Sequence, residues 1–408
     1  MDLVSGRRGV VTVVILATLT ALGPLSMDAY LPAFPQLGQD LGIEASAVQL
    51  TLAVNVVGIV LGQLLLSPLT DQYGRRRIVI AATTVLAVAS FGQAAATSFG
   101  VLVALRFVAG VAAGAGIAIS RAIAADVAKG EKAARLFSLF IALSSVAPIV
   151  APLVGGALLA ATGTWRSSFV ALGAVGAVLT VALVTAIPET LAVEERHAGG
   201  LGQLGRAFAT LIRDRAFVGY ALVLVFAYSA LFAYLSGGPF VLQEQYGLSA
   251  SAYSVVFAVN ATGLVVLGFV NARLVKRYAP RRLLAISLVI AAGAGVLLVC
   301  VMLLHVPGVV LVLVGLFVVV ASRGMMTANA MFLGVDRAHA RGMASAILGA
   351  GMFAGGILVT PMVGLTPDRP GDAMSLAILA GTLLALAALV LTRPRGRRGH
   401  DERMASWG

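Results

Sequence analysis

About twelve apolar runs fill the chain, each near the ~20 residues that a helix needs to cross a bilayer. They lie at 10–33, 46–70, 77–97, 100–125, 136–161 and 167–187, and then at 216–242, 250–274, 283–304, 308–333, 342–362 and 373–391. A segment in hydrocarbon has no water to satisfy its backbone N–H and C=O groups, so only helices and closed barrels span a membrane. Runs of this length predict helices, hence an all-α integral membrane protein. The balance of residues agrees: 60% of the 408 positions are apolar and 11% charged, against roughly 45–50% and about 25% in soluble domains. Arg7-Arg8 ahead of an apolar run imitates a signal peptide, but the run passes Leu25 without a small-residue cleavage pattern. It reads as a retained first helix. The single cysteine, Cys300, excludes an intrachain disulfide.

A net charge of +12 in a soluble chain would raise nucleic-acid binding. Here nearly all the Lys and Arg sit in short clusters between alternate runs, from Arg7-Arg8 and Arg75–Arg77 to Arg393–Arg398, so no nucleic-acid partner is expected. Only Arg166 and Arg369 fall on the opposite side, and Arg106, Arg121 and Arg323 fall within runs. The positive-inside rule then predicts a multi-pass protein of the cytoplasmic membrane with both termini cytoplasmic.

Gly62, followed by Arg75-Arg76 after the second run, recurs as Gly268, followed by Arg281-Arg282 after the eighth, at the same spacing about half a chain later. This repeat predicts two pseudo-symmetric six-helix halves: residues 1–188 and 216–392, joined by a cytoplasmic linker at 189–215 and ending in a basic tail at 393–408. Transporters are commonly built this way, with the site near the midplane between the halves.

Of the 17 acidic residues, Asp28 is the one that falls well inside a run. A charge there costs at least ~2.5–3.5 kcal/mol on insertion scales and marks a functional candidate. It lies in Pro24-Leu-Ser-Met-Asp28-Ala-Tyr30-Leu-Pro32-Ala-Phe-Pro35, where prolines remove backbone donors and kink the helix. At ~1.5 Å per residue, Asp28 and Arg106 fall at similar depth, so they are expected to face one cavity. An aspartic acid titrates near ~3.9 in water. Desolvation favours the neutral acid in general, and a neighbouring guanidinium favours the anion. A cavity opened alternately to each side therefore lets one carboxyl load and release a proton. His305 and His339 are predicted at loop ends, His197 in the linker and His400 in the tail. Arg121 and Arg323 lie toward the cytoplasmic ends of their runs, where snorkelling to headgroups is the expected role of Arg323. Asp126 is expected to end the fourth run at the surface.

Several strings together carry a resemblance. Pro68-Leu-Thr-Asp71-Gln-Tyr-Gly74-Arg75-Arg76 resembles the signature between helices 2 and 3 of the major facilitator superfamily, with Ser67 in place of its first glycine. Leu105-Arg106-Phe-Val-Ala-Gly110 resembles the helix 4 motif of proton-coupled members, with Ala109 in place of glutamine. Ala147-Pro148-Ile-Val-Ala-Pro152-Leu-Val-Gly155-Gly156 resembles the antiporter motif of helix 5, with Ala151 where many members have glycine. Met27–Pro35, Arg121–Asp126, Thr164–Phe169, Ile187–Leu191 and Tyr234–Glu244, running on to Asn260, narrow the resemblance. Together they point to the Bcr/CflA (bicyclomycin/chloramphenicol-resistance) drug:proton antiporters.

The resemblance implies a proton-coupled exporter of small xenobiotics from a bacterial cell, working by alternating access. It would act as a monomer in membrane lipid, with protons and a small drug as its partners and no cofactor, metal or catalytic residue. Asp28 and Arg106 would couple to protons. Asp71, Gly74, Arg75 and Arg76 would form a conformational latch, and Pro148, Pro152, Gly155 and Gly156 would shape helix 5. A drug pocket is largely apolar with a few polar groups, and Met and aromatic side chains re-pack around varied ligands. The cavity candidates are Tyr30, Asn55, Tyr228, Tyr234, Phe240, Phe257, Asn260, Met325 and Asn329. With one buried carboxylate, cationic and neutral drugs both remain open. The alternative is an exporter of one specific metabolite, such as a sugar or amino acid. No paired-carboxylate, Cys/His or Ser/His constellation and no Walker motif points to an enzyme, and nothing reads as a selectivity filter.

Overall fold

The structure, a computed structural model, describes residues 6–128, 130–191, 210–337, 341–363 and 369–392. Twelve long helices and one short one account for nearly all of them. In the first half these are α1 (Gly6–Asp28), the short α2 (Phe34–Leu41), α3 (Ala45–Tyr73), α4 (Arg75–Ala95), α5 (Phe99–Val127), α6 (Gly130–Thr162) and α7 (Arg166–Ala186). In the second they are α8 (Arg215–Phe240), α9 (Ala250–Leu274), α10 (Pro280–Leu303), α11 (Val310–Asp336), α12 (Arg341–Val363) and α13 (Pro370–Leu391). Ten of them carry a long apolar stretch able to cross a membrane; in α6 and α12 the described stretches are shorter, Val146–Thr162 and Ile347–Thr360. Most of the linker, the basic tail, His197, His339 and His400 lie outside the described residues. His305 sits in the loop after α10 with φ 50°.

Helix limits follow local chemistry. The Asp214 carboxylate accepts from the N–H groups of Ala216 and Phe217 and so caps α8. The Ser249 hydroxyl does the same for α9 through Ala252 N–H. Pro280 and Pro370 occupy first turns, where a missing N–H costs nothing. Gly74, at φ 93°, turns the chain directly from α3 into α4.

The first run proves less regular than a single helix over 10–33. α1 ends at Asp28, a 3₁₀ turn follows at Leu31–Ala33, and α2 continues to Leu41. Pro32 and Pro35 are the second residues of these two turns, so neither can hand an N–H back to α1. The acid therefore sits where the helix breaks.

Packing repeats between the halves. α3 lies on α5, α4 on α5 and α7, and α1 on α5 and α6; α9 lies on α11, α10 on α11 and α13, and α8 on α11 and α12. Small residues allow these approaches. A Cβ at Gly62 would strike the Val111 carbonyl, and one at Gly324 the Leu264 carbonyl. An arginine at the second position of α4 and one at the second position of α10 do similar work. Arg76 at the start of α4 donates to the Ile187 and Val184 carbonyls (2.8 and 2.7 Å) that end α7. Arg281 at the start of α10 donates to the Leu389 carbonyl and the Thr392 hydroxyl (3.1 and 3.2 Å) that end α13. The halves meet through α6 on α9 and α3 on α12.

Candidate functional site

Between the halves lies a cavity of about 490 Å³, within the size range of small-molecule sites. Its walls are helical stripes. α1 contributes Thr20, Gly23, Pro24, Met27 and Asp28. α8 contributes Tyr228, Leu231, Phe232 and Leu235, with Tyr234 beside them; α9 contributes Phe257, Asn260, Ala261 and Leu264. Each follows the i, i+3, i+4, i+7 spacing that puts side chains on one helix face. Ile117 and Arg121 from α5, Phe140 and Pro148 from α6, Val320 and Arg323 from α11, and Phe353 from α12 complete the lining.

Asp28 is 6% exposed, and its carboxylate reaches the cavity without a hydrogen-bond or ion-pair partner among the described residues. The Asn260 amide donates to the Tyr234 hydroxyl (3.1 Å), and the Tyr234 ring stacks on Phe257 at 5.7 Å. The two polar tips are thus fixed within an aromatic wall.

Arg106 does not share this cavity, contrary to the depth argument. It is fully buried behind α1, against α3. Its Nη1 donates to the Ser26 carbonyl (2.9 Å) and its Nε to the Thr51 carbonyl (3.4 Å). Its plane lies over the Tyr30 ring, 4.1 Å from the centroid. It forms no ion pair with Asp28: depth alone does not fix azimuth, and Arg106 projects into the α1–α3–α5 packing. Tyr30 and Asn55 belong to the same buried network. The Tyr30 hydroxyl meets Thr51 (3.0 Å), while Asn55 accepts from Ser26 and donates to the Arg106 carbonyl.

Of the expected cavity residues, Tyr228, Tyr234, Phe257 and Asn260 line it; Tyr30, Asn55, Phe240, Met325 and Asn329 do not. Phe240 packs toward Phe34 at 6.0 Å. Asn329 donates to Asn271 (2.6 Å) inside the α9–α11 contact, and Met325, two positions from Arg323, turns off the wall.

Arg323 corrects the snorkelling expectation. It is 2% exposed, lines the cavity, and stacks over Tyr228 at 3.9 Å. Its Nε and Nη1 have no acceptor among the described residues. The rule that singled out Asp28, an ionisable side chain within an apolar run, applied to it equally.

One end of the cavity is closed. The Gln243 amide donates to the Pro32 carbonyl across the halves (3.1 Å). Gly156 of α6 is pressed on Ser254 of α9, so that any Cβ there would collide with the serine side chain. Gly155 is pressed on the Ala29 carbonyl in the break of α1. Pro148 lines the cavity on the same helix, and Pro152 lies one turn on. α2 is tied down at this end by Trp165 Nε1 donating to Asp40 (2.9 Å) and by Gln36 bonding Gly163 and Trp165. The closed end also buries polar atoms without partners: both amide atoms of Gln49, the Tyr253 hydroxyl and the Thr360 hydroxyl.

At the opposite end Gly74 presents Arg75 to Asp126 (3.3 Å), to the Thr70 hydroxyl (2.6 Å) and, through its N–H, to Glu189 (2.9 Å). Thr190 also donates to Asp126 (3.0 Å). The side chain of Asp71 lies outside the described residues. Asp126 stands at the end of α5, as expected, with its side chain partly exposed, and it anchors this cluster, which Glu189 joins.

Comparisons with known proteins agree with this architecture. The family model described as Major Facilitator Superfamily matches residues 16–361 and 241–403. The "Uncharacterized MFS-type transporter YdgK" of Bacillus subtilis (strain 168) is 34% identical over 393 residues, 96% of this chain and 98% of that one. The "Bicyclomycin resistance protein homolog" of Haemophilus influenzae is 28% identical, covering 85% of this chain and 87% of its own. A "Chloramphenicol resistance protein" of Pseudomonas aeruginosa is 27% identical, covering 96% and 93%. Among solved structures, the nucleoside transporter NupG superimposes with a TM-score of 0.76 at 14% identity, covering 94% of this chain and 99% of that one. A D-xylose-proton symporter gives 0.72 at 16%, covering 94% and 97%. A helical bundle folded as two matching halves around a central cavity, with these sequence matches, makes the chain a member of the Major Facilitator Superfamily, a multi-pass membrane transporter of small molecules.

Proposed function

We propose that this transporter is a proton-coupled exporter of small xenobiotics, of the bicyclomycin- and chloramphenicol-resistance type, in the bacterial cytoplasmic membrane. The observation that carries the reading is Asp28: a buried acid on a cavity wall, without an ion pair among the described residues. A carboxyl held in a salt bridge would resist protonation; this one is available to a proton and to a substrate in turn. The resistance proteins of Haemophilus influenzae and Pseudomonas aeruginosa, similar along most of the chain, support the substrate class.

The basic clusters put the Gly74 end and both termini in the cytoplasm. The Pro32–Gln243 and Gly156–Ser254 contacts then close the periplasmic side, and exposed Arg121 marks the rim through which cytoplasmic substrate enters. Residues 1–188 and 216–392 act as the rocking halves. Arg75 and Arg76, on Asp126, Glu189 and the end of α7, hold the cytoplasmic end of the first half as one body. Arg106 fixes the backbone around Ser26 and so positions the break that carries Asp28; it does not exchange protons with it.

Drug accumulation in cells expressing the wild type or Asp28→Asn, with and without a protonophore, tests the reading. The wild type lowers accumulation only while the proton gradient stands, and the mutant, at equal expression, does not. Equal active efflux by the mutant refutes the coupling role.

A further inference from the structure

The cavity holds a second fixed charge that the export reading does not use. Arg323 stands on α11 of the second half and Asp28 on α1 of the first, and both line the same space. Arg323 is 2% exposed and, among the described residues, meets no carboxylate and leaves Nε and Nη1 without acceptors; its partner there is Tyr228 alone, through the ring and the phenol. A cation is rarely sunk into a membrane protein unless it pairs with something, and a ring face stands in for only part of an anion's contribution. Asp28 is in the mirror situation, an acid with no donor upon it among the described residues.

We infer that the site is bipolar and takes zwitterionic or strongly dipolar molecules, with an ammonium or other donor end at Asp28 and a carboxylate or other acceptor end at Arg323. The apolar part of the same cavity, lined by Phe232, Leu235, Phe257 and Leu264, receives the substrate's ring system. The inference rests on the proton-coupled export reading and refines its substrate class.

The charge balance argues against the simpler classes. With Asp28 ionised, the cavity charges are one negative against Arg121 and Arg323, so a lone cation meets net positive potential. A lone anion is favoured by the same sum, yet protonating Asp28 would strengthen its hold, the wrong sense for an exchanger. A bipolar molecule loses its donor contact when Asp28 takes a proton while its acceptor end stays engaged. Proton and substrate then compete, as export in exchange for protons requires. Because the two charges come from opposite halves, such a ligand also spans the surfaces that must move.

The probes are ciprofloxacin, a fluorescent zwitterion; its ethyl ester, which masks the acid; and its N-acetyl derivative, which masks the amine. Binding to the purified protein is followed by fluorescence polarisation. The wild type binds the zwitterion at least tenfold tighter than either masked form, about 1.4 kcal/mol. Arg323→Gln weakens the zwitterion at least tenfold and leaves the ester unchanged, so the two become equal; Arg323→Lys keeps part of the preference. Asp28→Asn removes the preference over the N-acetyl form instead. The ratio between probes is the readout, and a general loss of folding does not alter it selectively. Equal binding of zwitterion and ester by the wild type, no saturable binding of the zwitterion, or an Arg323→Gln loss shared by zwitterion and ester overturns the inference. Gradient-driven efflux of the ester alone would sustain the export reading while defeating the bipolar site. Protonophore-insensitive handling of every probe would defeat the export reading itself.

Discussion

Replacing Gly156 with alanine is expected to pry open the end sealed by α6 and α9. An added Cβ would lie 3.0 Å from the Ser254 Cβ and closer still to its hydroxyl, which itself bonds the Ala250 carbonyl at 2.8 Å. Rotating Ser254 moves the oxygen but not the Cβ, so α6 and α9 must separate by several tenths of an ångström. Overpacking of this kind costs about 1–3 kcal/mol. The higher helix propensity of alanine, about 1 kcal/mol, applies whether this end is open or shut and cancels from the comparison. The whole cost therefore falls on the closed arrangement, and at ~1.4 kcal/mol per factor of ten the closed fraction falls roughly five- to a hundredfold relative to the open one. Spin labels at exposed Gln39 and Glu244, in a Cys300→Ser background, report the distance across this end by double electron–electron resonance. The short-distance population should shrink in Gly156→Ala and return when Ser254→Gly is added. Gly293→Ala, where nothing stands within 4 Å, should leave it unchanged. An unaltered distribution in Gly156→Ala, or a change that Ser254→Gly fails to reverse, refutes the steric argument.

Arg106→Leu should lower thermal stability by about 2–4 kcal/mol, because it strands the Ser26 carbonyl at the end of α1, removes a second bond to the Thr51 carbonyl and loses the stack on Tyr30. Arg106→Lys, lacking the fork that reaches both carbonyls, should recover less than half of this in a detergent melting assay. Arg76→Ala and Arg281→Ala should cost similar amounts, about 1–2 kcal/mol each, since each uncaps the final helix of its half. Hydrogen exchange should rise near Val184–Ile187 in the first and near Leu389–Thr392 in the second, and a rise in only one of the two would contradict their equivalence.

Helix number and order were legible in the sequence because hydrocarbon leaves a chain few choices. The break after Asp28 was visible in its prolines. What was not legible was azimuth. Asp28 fixes a stripe through Met27, Pro24, Gly23 and Thr20, and Tyr228 fixes another through Leu231, Phe232 and Leu235; both stripes do line the cavity. Phe240, Met325 and Asn329 lie off such stripes, and Tyr30 lies beyond the break, where helical spacing no longer applies. Arg106 and Arg323 show the same gap from two sides. Sequence depth put one in the cavity and the other among headgroups, whereas the side-chain directions reverse the two assignments.

The amide of Gln49 and the hydroxyls of Tyr253 and Thr360 are buried at the closed end with no hydrogen-bond partner among the described residues. Each atom kept dry without a partner costs about 1–3 kcal/mol, a debt that solvent cancels as soon as it enters. Any arrangement that brings water to these three side chains is favoured by that amount over one that leaves them buried and unpaired.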